Sequence, residues 1–260
     1  MGLKIIINMK YLKLLFKKIS NKNIFYFFFR NLKVNFINFY SDSEYKKLCD
    51  VQYVKVKKIY PKSNIFSFSK DHLPEKIKKI AREHPKGYGL WIWKPYIIKK
   101  SLDKINKNEL LFYIDSRTDI PEKQILFLNK FFLSRNYDLL IWEMETVEKE
   151  WTSKKLLEFF KIENNNKILE SPQLAATFLL IRKNKRTERF IERLYENMIN
   201  NIGLLIDPDK KDENTYFIEH RHDQSFLSLL LKVDNTLKVK YIKNKDLRGL
   251  RSLHPHTLSV

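Results

Sequence analysis

A chain of 260 residues with 43% hydrophobic and 14% aromatic side chains is long enough to bury one sizeable core. Fifty basic against 30 acidic residues leave a formal charge of +20, which invites anionic partners: phosphate-bearing molecules, nucleic acid or an acidic lipid surface. A single cysteine, Cys49, excludes an internal disulfide framework and a Cys-based zinc cluster, and is compatible with a reducing compartment.

The first 33 residues hold eight Lys or Arg and no acid. Tyr11, Leu12, Leu15, Phe16 and Ile19 recur at helical spacing among lysines, the pattern of a basic amphipathic helix that lies on an anionic membrane. The apolar run 24–29 is far shorter than the ~20 residues a spanning helix needs, and no signal-peptide pattern is present. Residues 1–31 are therefore set apart from a single domain over 32–260. Residues 32–39 read as a first strand. Ser41 and Glu44 have the spacing of a capping box that opens a helix to about Lys58. A second strand at 65–68 and a helix from Pro74 follow. Gly87-Tyr88-Gly89-Leu90-Trp91-Ile92-Trp93-Lys94-Pro95 comes next, with a helix expected over 96–102. The run 110–114 is apolar throughout and ends in Asp115, as a buried strand leaving a sheet would. A helix over 121–132, a strand over 137–142, a helix over 151–160, an Asn-rich loop at 164–166 and a strand over 175–181 complete the alternation. A long helix carries Phe190, Leu194 and Met198 on one stripe, and a polar block at 220–225 opens a last apolar helix. Strands alternating with helices predict an α/β domain with a mostly parallel central sheet flanked by helices.

Four polar clusters carry candidate chemistry. Asp115 and Asp119 are two hard oxygen ligands close in sequence, the means by which a protein recruits Mg²⁺ or Mn²⁺. Trp91, Trp93 and Lys94 offer flat aromatic walls and a point charge. His220-Arg221-His222-Asp223-Gln224-Ser225 places six polar side chains at a helix start, where backbone N–H groups also attract anions. His254 and His256 form a fourth pair, in what reads as a frayed tail. No P-loop, dinucleotide fingerprint, zincin or serine-hydrolase motif occurs.

Taken in order, these blocks resemble bacterial GT-A-like glycosyltransferases of capsule and lipopolysaccharide biosynthesis. The resemblance rests on the Trp-Ile-Trp-Lys-Pro segment, on the strand ending in Asp115, on Gln173 with Ala175 and Ala176, and on the His-Arg-His-Asp-Gln-Ser block. It implies a Rossmann-like sheet, a nucleotide-sugar donor and a surface-polysaccharide or lipid-linked glycan acceptor. It implies donor contacts from Trp91, Trp93, Lys94, Asp115, Arg117, Gln173, His220, Arg221, His222 and Gln224. The Asp-x-Asp metal motif of that family is incomplete here, because Arg117 stands where its second acid would be. Either Asp119 supplies that carboxylate to Mn²⁺ or Mg²⁺, or Arg117 itself neutralises phosphate. Asp223 is the first candidate for a general base, with Glu143 and Glu145 behind it. The expected location is cytoplasmic, peripheral on the inner membrane. The competing readings are transfer of another activated group on the same fold, and a basic nucleic-acid-binding protein. No nucleic acid partner is expected, because no RNA- or DNA-binding motif appears.

Overall fold

The computed structural model describes residues 34–119, 121, 125 and 137–243, together with the backbone of 251–252. The N-terminal segment, most of the helix expected over 121–132 and the His254/His256 pair lie outside the described residues. The chain opens with β1 (Val34–Tyr40), α1 (Ser43–Ile59), β2 (Ile65–Ser69), α2 (Glu75–Glu83), α3 (Trp93–Asp103), β3 (Leu110–Ile114) and β4 (Thr118–Asp119). After it come β5 (Leu139–Val147), α4 (Glu148–Trp151), α5 (Lys154–Phe159), α6 (Asn166–Leu169), β6 (Pro172–Leu174) and β7 (Phe178–Arg182). The described chain closes with α7 (Lys185–Asn200), α8 (His222–Val233), β8 (Val239–Ile242) and β9 (Arg251–Ser252).

The central sheet runs β2-β1-β3-β7-β5, with β6 and β8 both pairing with β5. β2, β1, β3, β5 and β8 point one way, while β7 and β6 run against them. The sheet is thus mostly parallel with an antiparallel strand in its middle. Alternate side chains of a strand leave opposite faces, and both faces are covered here. Ile37, Phe39, Leu111, Tyr113, Leu179 and Ile181 meet α3, α7 and α8 on one side. Val34, Phe36, Leu110, Phe112 and Leu180 meet Val56 and Ile59 of α1 on the other. That double burial is why these strands read as continuous apolar runs rather than alternating ones. The stripe Phe190, Leu194 and Met198 is buried as its spacing predicts, at about 1.5–3 kcal/mol per fully buried side chain.

Local chemistry moved several boundaries. The α1 cap is Asp42, not Ser41: its Oδ1 accepts from the N–H groups of Glu44 and Tyr45, both at 3.0 Å. The helix expected over 151–160 is two short ones, α4 and α5, because Thr152 is extended between them. The Asn-rich loop holds a helical turn, α6, capped by Asn165. Among the described residues, no helix is long and apolar enough to cross a membrane.

Strand direction decides what meets Asp115. β1, β2 and β3 are parallel, so their carboxyl ends share one edge of the sheet. β7 runs the other way, so its first residues arrive at that same edge, with Ile114 opposite Phe178. The residues just before β7, Ala176 and Thr177, therefore lie beside Asp115.

Candidate functional site

Three segments far apart in sequence converge at this edge. The first is the turn after β3. Gln52 of α1 donates its Nε2 to the carbonyls of Asp115, Ser116 and Thr118 at 2.7, 3.2 and 3.1 Å, while Asn38 donates to its Oε1. One buried amide thus gathers the turn's carbonyls inward. The carboxylate of Asp115 accepts from the N–H of Arg117 at 3.2 Å, and both residues are half-buried. Sequence reasoning missed Gln52, although a signal existed: it interrupts the buried stripe Leu48, Gln52, Val56 with a polar group.

The second segment is the turn before α3. Gly87, Tyr88, Gly89, Leu90 and Trp91 all have positive φ, at 60°, 51°, 85°, 55° and 58°. This is one turn of left-handed helix. It costs about 1–2 kcal/mol for each of its non-glycine residues, so its surroundings must enforce it. Leu90 N–H bonds Lys86 O at 2.8 Å, and Trp91 N–H bonds Gly87 O at 3.3 Å. Trp93 Nε1–H bonds the same Gly87 carbonyl at 2.9 Å. A Cβ on Gly87 would come within 2.3 Å of the Trp91 ring, and one on Gly89 within 3.2 Å of the Ala81 backbone. Only glycine fits at both places.

The two tryptophans consequently build the turn. Trp93 is 6% exposed and stacks on Phe39 at 3.9 Å. Trp91 is half-buried, with Gly87 against its ring and His222 stacked on it at 5.2 Å. The expectation that both are open walls for a ligand is corrected: their faces are occupied by the protein. What the turn delivers is Lys94. Its Nζ reaches into the core, where it pairs with the Asp223 carboxylate, donates to Ala176 O at 3.2 Å and lies 5.5 Å from the centre of the Tyr113 ring.

The third segment is the start of α8. Asp223 is 7% exposed. Burial raises its carboxyl above the ordinary range; Lys94 and His222 oppose this, and the charge of Asp115 adds to it. Gln224 accepts from Ala176 N–H at 3.2 Å and donates to Gln173 Oε1 at 2.7 Å and to Met144 Sδ at 3.2 Å. Ala176 and Thr177 therefore join all three segments: Ala176 binds Lys94 and Gln224, and Thr177 O accepts from Asp115 N–H at 2.8 Å.

Other expectations change. Both nitrogens of His220 are taken within the fold: Nε2–H donates to Leu204 O at 3.0 Å, and Nδ1 accepts from Ser153 N–H at 3.3 Å. Burial, with the nearby His222, pulls its pKa down to about 4. It is a neutral clamp, not a phosphate ligand. Arg221 turns outward, 4.2 Å over the Trp151 ring and paired with Glu219. Gln173 is wholly buried and bridges Glu148, the Trp151 carbonyl and Ser225. From the segment holding Glu143 and Glu145, Met144 touches the cluster, and the charge of Glu143 acts on Lys232 and Tyr241. Asp119 pairs with Lys55 of α1. The Asp119 carboxylate, expected to act with Asp115 as a metal ligand, is thus partnered by a lysine in this structure. Among the described residues, no group of three His, Cys, Asp or Glu is placed to hold a metal ion.

Comparison with known proteins places two solved structures near this chain. A glycosyltransferase involved in glycosylating the major capsid of the virus PBCV-1 is 10% identical, with a TM-score of 0.46 over 81% of each chain. A mannose-6-phosphate isomerase from Helicobacter pylori is 12% identical, with a TM-score of 0.39 over 85% of this chain and 100% of the other. Likenesses this loose assign no chemistry. No family model and no curated protein matches the chain.

Proposed function

We propose that this protein is a glycosyltransferase that moves a sugar from a nucleotide-sugar donor to a glycan acceptor, with transfer at the carboxyl end of β3. One observation carries the reading. Asp115 and Arg117 are half-exposed at the edge where parallel strands end, directly beside a buried Lys94–Asp223 pair. Open α/β sheets bind ligands at that edge. A basic side chain there suits diphosphate, and a carboxylate suits sugar hydroxyls.

In this reading Arg117 faces the diphosphate and takes over the charge neutralisation that an Asp-x-Asp metal would provide. Asp115 binds a hydroxyl of the donor. Asp223 is the base. An acceptor oxygen forms a bond to the anomeric carbon, the bond from that carbon to the diphosphate oxygen breaks, and the acceptor proton passes to Asp223. A carboxyl raised by burial is a stronger base than an exposed one. Lys94 holds Asp223 in place and keeps it ionised until the proton arrives. A surface polysaccharide or a lipid-linked glycan is the proposed acceptor, and residues 1–31 are the proposed contact with an anionic membrane.

The test is incubation with a panel of nucleotide-sugars, with Mn²⁺ and with a chelator, followed by assay of donor hydrolysis. The reading expects one donor to be consumed, with the rate surviving chelation and falling in Arg117→Ala. If no donor is hydrolysed or bound saturably, the reading is wrong. Consumption of a donor only with Mn²⁺ would return the second carboxylate to Asp119.

A further inference from the structure

Helix α1 lays Leu48, Gln52, Val56 and Ile59 on the sheet. A leucine in place of Gln52 would continue that apolar stripe, whereas a buried amide has to be answered inside the protein. It is answered in one orientation only. A carbonyl can only accept, so the amino end of Gln52 must face the carbonyls of Asp115, Ser116 and Thr118, and its Oε1 faces away from them. Asn38 Nδ2–H donates to that Oε1 at 3.3 Å and fixes the amide's direction. The arrangement leaves Asn38 Oδ1 buried without a hydrogen-bond partner, a cost that a leucine at position 38 would remove.

The turn so held is closed by two further bonds. Thr118 N–H donates to Asp115 O at 2.8 Å, and Arg117 N–H to Asp115 Oδ1 at 3.2 Å. With the carbonyls drawn toward α1, Ser116 and Thr118 are buried, and Asp115, Arg117 and Asp119 alternate with them as half-exposed residues. Lys55, one helical turn beyond Gln52, pairs with Asp119. One face of α1 therefore grips the turn from within and at its last residue. Asp115 N–H bonds Thr177 O, next to the Ala176 peptide that Lys94 and Gln224 bind. The turn's place relative to the Lys94–Asp223 pair is set from both sides.

We infer that Gln52 is a positioning residue: it sets the turn on which Asp115 and Arg117 stand, and through it the grip on a nucleoside diphosphate. Gln52 does not itself meet the ligand. Both Nε2 hydrogens and Oε1 are engaged inside the fold. The ligand rests on the glycosyl-transfer reading, while the setting of the turn stands on the hydrogen bonds alone.

Two readouts on the full chain test it. Gln52→Met keeps the length of the side chain and removes every hydrogen bond. Amide exchange followed by NMR should rise at Arg117 and Thr118 by roughly tenfold or more, while Leu111 to Ile114 of β3 keep their protection. Calorimetric titration with UDP, GDP and dTDP, with Mn²⁺ and with a chelator, should show the bound diphosphate weakened by roughly tenfold. Asn38→Leu frees the amide to turn and should weaken it by a smaller factor. Adding Asn38→Leu to Gln52→Met should then change little, because the two act through one chain of bonds. If Gln52→Met does not fold, Asn38→Leu alone carries both readouts. Unchanged exchange in the turn overturns the inference, as does a loosened turn that binds the diphosphate as tightly as before. If the unaltered chain binds none of the three, glycosyl transfer fails, and exchange still decides whether Gln52 sets the turn.

Discussion

Helix α8 carries a buried lysine–carboxylate pair at each end, and the two are built differently. At the far end, Glu148 is wholly buried and fully surrounded. Ser228 Oγ–H, Lys232 Nζ at 2.7 Å and Thr152 Oγ1–H at 2.9 Å all donate to it. Lys232 in turn donates to Ser171 Oγ and Pro172 O, each at 2.7 Å. At the near end, Lys94 is the donor to the Asp223 carboxylate among the described residues. Asp223 feels the charge of Asp115, and the neighbouring Tyr113 hydroxyl has no partner. A buried pair with every lone pair answered holds elements together. A buried pair left partly unanswered is arranged to meet something else. Gln173 links the two, donating toward Glu148 and accepting from Gln224 beside Asp223.

The largest effect is expected at the satisfied end. Glu148→Ala leaves Lys232 buried without its acid, a break worth about 3–5 kcal/mol of stability. Thermal or urea unfolding should register it, and adding Lys232→Met should recover much of the loss. A donor-binding defect that exceeds the stability defect would show that the far pair also serves the site, and the contrast would fail.

The histidines repeat the contrast, and pH exposes it. His220 has both nitrogens bonded inside the fold and a pKa lowered to about 4. A base whose folded pKa is lowered contributes stability above its unfolded value of about 6.5, and loses it as pH falls through about 4. The shift corresponds to about 3 kcal/mol. Unfolding measured from pH 7 down to 4 should show that decline, and His220→Gln should flatten it. Asp223 works with the opposite sign. Its raised carboxyl contributes stability below the ordinary carboxylate range, lost as pH rises through the raised value.

At the unsatisfied end the expected cost falls on rate. Asp223→Asn keeps an oxygen for Lys94 but removes both the basicity and the charge that pairs that lysine, so the fold should lose stability while, in the folded fraction, turnover drops roughly 10²-fold and donor affinity holds. An equal fall in affinity would move Asp223 from the chemistry to the binding of donor.

How much of this could be read from the chain alone depends on where each force acts. Strands β1 to β3, α1 and α7 were legible because apolar side chains packed on a sheet leave a period in the sequence, as Phe190, Leu194 and Met198 do. The meeting of residues 94, 115 and 223 was half legible: dense polar blocks marked the members. What placed them was the reversed direction of β7, which hydrophobic pattern does not encode. The left-handed turn was illegible in kind, since Tyr88, Leu90 and Trp91 have side chains that disfavour positive φ. The roles of Trp91 and Trp93 were misread for the same reason, as Gly87 lies against the Trp91 ring and its carbonyl accepts from Trp93 Nε1–H.

The smallest prediction tests the contrast most finely. Tyr113 is wholly buried in β3, below Lys94, and its hydroxyl has no hydrogen-bond partner. Burial, with the charges of Asp115 and Asp223, holds its pKa well above the ordinary range, so it stays protonated. A desolvated hydroxyl without a partner is a net cost to the fold. Tyr113→Phe should therefore leave the protein as stable or more stable by about 1 kcal/mol, measured by urea unfolding. The same substitution at a satisfied hydroxyl, Ser228→Ala next to Glu148, should destabilise by a similar amount. If Tyr113→Phe is instead the destabilising change, its hydroxyl answers Asp223 or Lys94 in solution. The near pair would then be closed in the way the far pair is, and Asp223 would have to be sought as a structural residue rather than a base.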